Sequence, residues 1–123
     1  MAKILIVDDD REIASLLDNI LSLAGFETIV INDSTRAMET AESMKPDLCI
    51  LDLMMPEPNG FELCRMIRSN TNLLNTPIII ITAMDNQDSK DIAHAAGAND
   101  YIVKPFDQQE LPKRINLLLN TGE

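Results

Sequence analysis

Runs of Ile, Val and Leu recur five times along the chain, at residues 4–7, 28–31, 48–51, 78–81 and 101–103. They are continuously apolar instead of alternating, as expected for parallel strands covered by helices on both faces. The segments between them carry helical patterns over 10–24, about 34–45, about 60–69, about 87–96, and a fifth beyond Asp107, a candidate N-cap. The first stops at Gly25, suited to a left-handed C-terminal cap, the second is closed by Pro46, and the fourth ends at Gly97. Strand and helix alternating five times specify a doubly wound sheet, because parallel neighbours need a right-handed helical crossover. The expected fold is α/β, (βα)5, with a five-stranded parallel sheet between two helical layers. Pro112, about five positions into the last pattern, predicts a kink or a delayed start there.

At 123 residues, with no internal repeat, linker or low-complexity tract, residues 1–123 are expected to form one domain. No segment approaches the roughly 20 apolar residues of a membrane span, and the apolar run behind the N-terminus is too short for a signal peptide. The chain is therefore expected to be cytoplasmic and to contact no membrane. Cys49 and Cys64 lie inside apolar patterns and read as reduced, small core residues. Twenty acidic against ten basic residues give a formal net charge of −10, which argues against direct nucleic-acid binding because a phosphate backbone would be repelled.

Open parallel sheets bind ligands at the carboxyl ends of their strands, so the residues after each apolar run carry the functional argument. The first run is followed by Asp8, Asp9 and Asp10, the third by Asp52, the fourth by Thr82 and the fifth by Lys104. The second ends in Asn32 and Asp33, which fits an edge strand outside the site. A lone Asp at a strand end means little, since Asp favours turns. Several carboxylates on one rim repel by about 4 kcal/mol per pair at about 4 Å and an effective dielectric of about 20, so the cluster requires counter-charge. Lys104 supplies one, and a hard dication can supply the rest. Few oxygen ligands with open positions suit Mg²⁺, which keeps waters and shares phosphate oxygens with its substrate.

The stretches Ile4-Leu5-Ile6-Val7-Asp8-Asp9-Asp10, Asp52-Leu53-Met54-Met55-Pro56 with Gly60, Ile81-Thr82-Ala83, and Asp100-Tyr101-Ile102-Val103-Lys104-Pro105-Phe106 together resemble the receiver domain of bacterial two-component response regulators. The resemblance covers essentially the whole chain. It implies a flavodoxin-like sheet of order 2-1-3-4-5. It also implies a phosphorylation-activated signalling switch that catalyses its own aspartyl phosphorylation and slow dephosphorylation, without being an enzyme toward other substrates. Carried over, Asp52 is the phosphoryl acceptor. Asp8, Asp9, Asp52 and the Met54 carbonyl surround Mg²⁺, Thr82 bonds a phosphoryl oxygen, and Lys104 pairs with Asp52 and then with the phosphoryl group. Thr82 and Tyr101 form the switch that alters the face of the fourth helix, fifth strand and fifth helix. The fourth helix, with chiefly Ile92 and several Ala, is expected to be loosely held.

The implied donor is a histidine kinase or histidine phosphotransfer protein, docking on an over-broad apolar stripe of the first helix that includes Ile13, Leu16 and Ile20; packing of the core explains these residues equally well. Lys90 with Glu110 and Asp100 with Arg114 resemble inter-subunit ion pairs, which implies a phosphorylation-dependent homodimer; an effector domain or protein would receive the output. Two departures matter. Glu57-Pro58-Asn59 replaces the usual approach to Gly60, and Met54 and Met84 flank the line of water attack with thioethers that cannot orient water, so a long-lived phosphoryl-aspartate is expected. A haloacid-dehalogenase-like phosphatase would need an Asp where Met54 stands. A nucleotide or flavin protein would need a Gly-rich loop after the first strand, and a pseudo-receiver would lack the intact acidic set. His94, on an Ala-rich helix, reads as a surface residue, and Thr121-Gly122-Glu123 leaves open a natural end or a cut before an effector domain.

Overall fold

The computed structural model describes residues 2–120. In chain order they form β1 (Lys3–Val7), α1 (Arg11–Leu23), β2 (Glu27–Ile31), a single 3-10 turn (Ser34–Arg36) leading into α2 (Ala37–Met44), β3 (Leu48–Leu51), α3 (Gly60–Arg68), β4 (Ile78–Thr82), α4 (Gln87–Ala96), β5 (Asp100–Val103) and α5 (Glu110–Asn120). The strands make one parallel sheet in the order β2-β1-β3-β4-β5, the expected topology. Thr121, Gly122 and Glu123 lie outside the described residues.

Alternate residues of the buried strands feed two cores. Leu5, Val7, Cys49, Leu51, Ile78 and Ile80 pack with Leu63, Cys64 and Ile67 of α3 and the small residues of α2 and α4. Ile4, Ile6, Leu48, Ile50, Ile79 and Ile81 pack with Leu17 and Leu21 of α1 and with Leu111 and Ile115 of α5. This two-sided burial explains why the strands read as unbroken aliphatic runs, and each fully buried Leu or Ile contributes about 1.5–3 kcal/mol. Both cysteines are free and buried; burial, first of all, pushes Cys49 up to about 12 and Cys64 up to about 11, so both thiols stay protonated and inert.

The helix ends follow local chemistry. Asp10 caps α1 by accepting from the Glu12 and Ile13 N–H groups at 3.0 and 3.3 Å. Asn59 and Glu62 form a reciprocal capping box at α3. Gly97 closes α4 with a left-handed φ of 111°. Asp107 caps a turn and not the helix itself: its carboxylate accepts from Gln109 N–H at 2.9 Å, and α5 begins only at Glu110. Pro112 is consequently the third residue of α5, where its missing N–H has no intrahelical partner to lose; the delayed start replaces a kink.

Candidate functional site

The register brings the strand ends flush. Val7 stands opposite Leu51, and Thr82 opposite Val103. The ladder continues one residue further, with Asp52 N–H donating to Val7 O at 3.1 Å and Lys104 N–H to Thr82 O at 2.8 Å. The side chains of Asp8 and Asp52 therefore leave the adjacent strands β1 and β3 at the same height, and Lys104 reaches them from the end of β5, across β4.

Asp8, Asp9 and Asp52 each place a carboxylate oxygen within 4.8 Å of the others. Asp8 and Asp52 are buried, whereas Asp9 faces solvent. Lys104 Nζ lies 3.1 Å from Asp8 Oδ2 and 3.2 Å from Asp52 Oδ2, so one ammonium spans two carboxylates. Each carboxylate has a second anchor, Asp8 Oδ1 accepting from Asp10 N–H at 3.0 Å and Asp52 Oδ1 from Met54 N–H at 3.2 Å. Burial raises Asp8 from 3.8 to about 6; the Asp10 N–H opposes this, Asp52 adds to it, and Lys104 lowers it. Burial works against the charge on Lys104, but Asp52 and Asp8 outweigh it and hold its pKa above the ordinary value. Three carboxylates against one ammonium leave a local excess of negative charge, and the oxygen-only donor set fits a hard dication.

Thr82 is fully buried, and its Oγ1 accepts from Met84 N–H at 3.4 Å. Tyr101 is half-buried and donates its hydroxyl to Met84 O at 2.7 Å. The main chain of Met84 thus joins the two residues that the sequence reading paired, a link that no side-chain pattern announces. Asn32 also has a part. Its Nδ2 donates to Asp8 O at 2.9 Å, so the end of β2 braces the acidic loop instead of standing apart from it. The Met54 side chain is exposed and Met84 is half-buried.

The residues read as partner contacts fall differently. Ile13, Leu16 and Ile20 are half-buried beside a core-facing Ala14, Leu17 and Leu21, and Leu23 is 90% exposed. Within this chain Asp100 and Arg114 pair, Nε to Oδ2 at 2.7 Å, and Lys90 Nζ lies 3.2 Å from Asp85 Oδ1, while Glu110 is exposed. On α4 the inward residues are Ser89, Ala93 and Ala96; Ile92, the one large aliphatic residue of the helix, is 43% exposed. His94 is exposed.

Residues 4–116 match the family model of the response regulator receiver domain. The chain belongs to this family. Among curated relatives of this receiver domain, the DNA-binding response regulator MtrA of Mycolicibacterium paratuberculosis is 38% identical over 121 residues, which is 98% of this chain and 52% of the relative. The chain spans about half the length of the curated relatives it matches. The solved receiver domain of Francisella response regulator 1452 superposes with a TM-score of 0.91 at 32% identity, covering 100% of both chains. Chemotaxis protein CheY4 of Vibrio cholerae superposes with a TM-score of 0.90 at 32% identity, covering 96% of this chain and 98% of that one. The five-stranded order is that of the CheY-like fold, and the receiver belongs to the signalling proteins of two-component systems. Among the described residues no helix is long and apolar enough to cross a membrane.

Proposed function

We propose that this receiver domain accepts a phosphoryl group on Asp52 from the phosphohistidine of a histidine kinase or histidine phosphotransfer protein. The observation that carries the reading is the Asp8–Asp9–Asp52 cluster with Lys104 bridging two of its members. Asp8, Asp9, the Asp52 carboxylate and the Met54 carbonyl would hold Mg²⁺, whose chemistry there is to neutralise charge and to share the phosphoryl oxygens. A carboxylate oxygen of Asp52 attacks phosphorus; the P–N bond breaks, and the imidazole nitrogen leaves with the bonding pair and is reprotonated from solvent. Lys104 then turns from the modified Asp52 to a phosphoryl oxygen, and Thr82 Oγ1 leaves Met84 N–H to donate to another. Phosphoryl transfer needs such positioning and neutralisation more than covalent machinery.

Tyr101 follows because its hydroxyl and Thr82 share the Met84 main chain. Movement at Thr82 is thereby passed to the face formed by α4, β5 and α5. That face serves a homodimer or an effector, and the MtrA-like length of the relatives favours an effector on the same polypeptide. The α1 stripe of Ile13, Leu16 and Ile20 receives the helical partner that carries the phosphohistidine. The thioethers of the exposed Met54 and the half-buried Met84 orient no water, so the modification is lost slowly.

Incubation with Mg²⁺ and a small phosphodonor, followed by intact mass measurement, tests the reading. The native chain should gain one phosphoryl unit only in the presence of Mg²⁺, and Asp52→Asn should gain none. A gain in Asp52→Asn equal to that of the native chain sinks the assignment.

A further inference from the structure

Arg68, the last residue of α3, has no role in the chemistry above, yet all five of its N–H groups are bonded. Nε and Nη2 donate to Gly97 O at 3.0 and 2.7 Å. Nη1 donates to Leu74 O at 3.1 Å and Thr76 O at 2.7 Å. Nη2 also donates to Asn99 Oδ1 at 2.8 Å. Asn99 in turn is tied to the sheet, since its Oδ1 accepts from Ile78 N–H and its own N–H donates to Ile78 O, both at 2.8 Å. One side chain therefore binds the end of α3, the loop before β4 and the turn that ends α4. Its partners are carbonyl oxygens and one amide, acceptors that do not titrate. Gly97 is adapted to this clasp twice over, by its left-handed φ and because a β-carbon there would sit 2.6 Å from Arg68 Cγ.

Among the described residues the other end of α4 is held by fewer bonds, with Tyr101 Oη donating to Met84 O at 2.7 Å in the loop before it. Its cap is local, Asn86 Oδ1 accepting from Ser89 N–H at 2.8 Å, and Lys90 with Asp85 is an exposed pair of the kind that contributes little. Between the ends only the small Ser89, Ala93 and Ala96 are buried, so little apolar area resists displacement.

From this asymmetry we propose that Arg68 is a positioning residue that fixes the Gly97 end of α4, so that movement of the helix is a swing of its Asn86 end about that pivot. The proposal deepens the switch reading of the α4-β5-α5 face, on which its consequence for signalling rests, but the anchoring can be measured without any modification.

Backbone amide hydrogen exchange and chemical shifts followed by NMR provide the test. In the unmodified native chain, amides of residues 93–99 should exchange at least tenfold more slowly than those of 90–92. After Mg²⁺ and phosphodonor, shift changes should concentrate at residues 84–90 and fade by 97–99. Arg68→Gln should remove the exchange gradient and let the shift changes run through 97–99, and Arg68→Lys, which keeps the charge and some of the bonds, should restore part of both. Uniform exchange along α4 in the unmodified native chain, or shift changes at 97–99 equal to those at 84–90, overturns the proposal. A gradient in a chain that takes up no phosphoryl group supports the anchor and contradicts the phosphorylation reading instead.

Discussion

A β-carbon on Gly60 would lie 2.3 Å from the carbonyl oxygen of Asp52 and 2.7 Å from Leu53 Cα. The start of α3 is thus pressed against the main chain that presents the candidate phosphoryl acceptor, and only glycine allows that approach. Gly60→Ala must push the two segments apart, and overpacking of this kind costs about 1–3 kcal/mol. Chemical denaturation should show a loss in that range, and the uptake of phosphoryl from a small donor should slow. A native-like midpoint would show that the loop yields without cost.

The buried Asp8 makes the metal-free chain sensitive to pH. Its pKa is raised from 3.8 to about 6 on folding, so the folded chain holds that proton more tightly than the unfolded chain does. The stabilising contribution is complete below about 3.8 and disappears as pH rises through about 6, amounting to a loss on the order of 1–3 kcal/mol by neutral pH. Without Mg²⁺, Asp8→Asn should therefore be more stable than the native chain at pH 7.5, with the advantage shrinking as pH falls from about 6 towards 3.8. Urea denaturation of both proteins across this range checks the sign; a native chain that gains on Asp8→Asn as pH rises contradicts it.

Tyr101 is the chain's single Tyr, and Trp is absent from the sequence. Intrinsic tyrosine emission therefore reports on one ring, held now by its hydroxyl on Met84 O. Mg²⁺ with phosphodonor should change that emission in the native chain and leave Asp52→Asn unchanged. An unaltered signal in a chain shown by mass to be modified would remove Tyr101 from the switch.

Persistence of the phosphoryl group is the expectation drawn from Met54, whose side chain is 60% exposed beside Asp52. Met54→Asn places an amide able to orient water there and should shorten the lifetime of the modification by about tenfold or more. The decay of the mass-shifted species after donor removal measures it. Equal decay in both proteins would mean that water reaches phosphorus by another route.

The fold was legible because burial on both sides of a parallel sheet leaves an unmistakable aliphatic run, and because Gly25, Pro46 and Gly97 punctuate the helices. The four strand-end chemistries, Asp8, Asp52, Thr82 and Lys104, were legible for the same reason: a polar residue directly after such a run projects from the binding edge. What escaped was bonding between side chains and distant main chain. Asn32 bracing Asp8 O, Met84 joining Thr82 to Tyr101, and Arg68 gripping Gly97 O depend on tertiary register and leave no periodic trace. The sequence shows that α4 offers few large apolar groups, but not that the helix turns Ser89, Ala93 and Ala96 inward and leaves Ile92 exposed. The resemblance pairs Arg114 with Asp100 across subunits, and the sequence does not show that α5 also brings it to the Asp100 of its own chain.

Titration of Mg²⁺ against the native chain, followed by backbone amide shifts, tests the central claim most directly. The account predicts saturable shifts concentrated at Asp8, Asp9, Asp52 and Met54, with affinity reduced at least tenfold in Asp8→Asn, as expected on losing one of so few carboxylate ligands. Shifts absent at those residues, or spread evenly over the acidic surface, would contradict it.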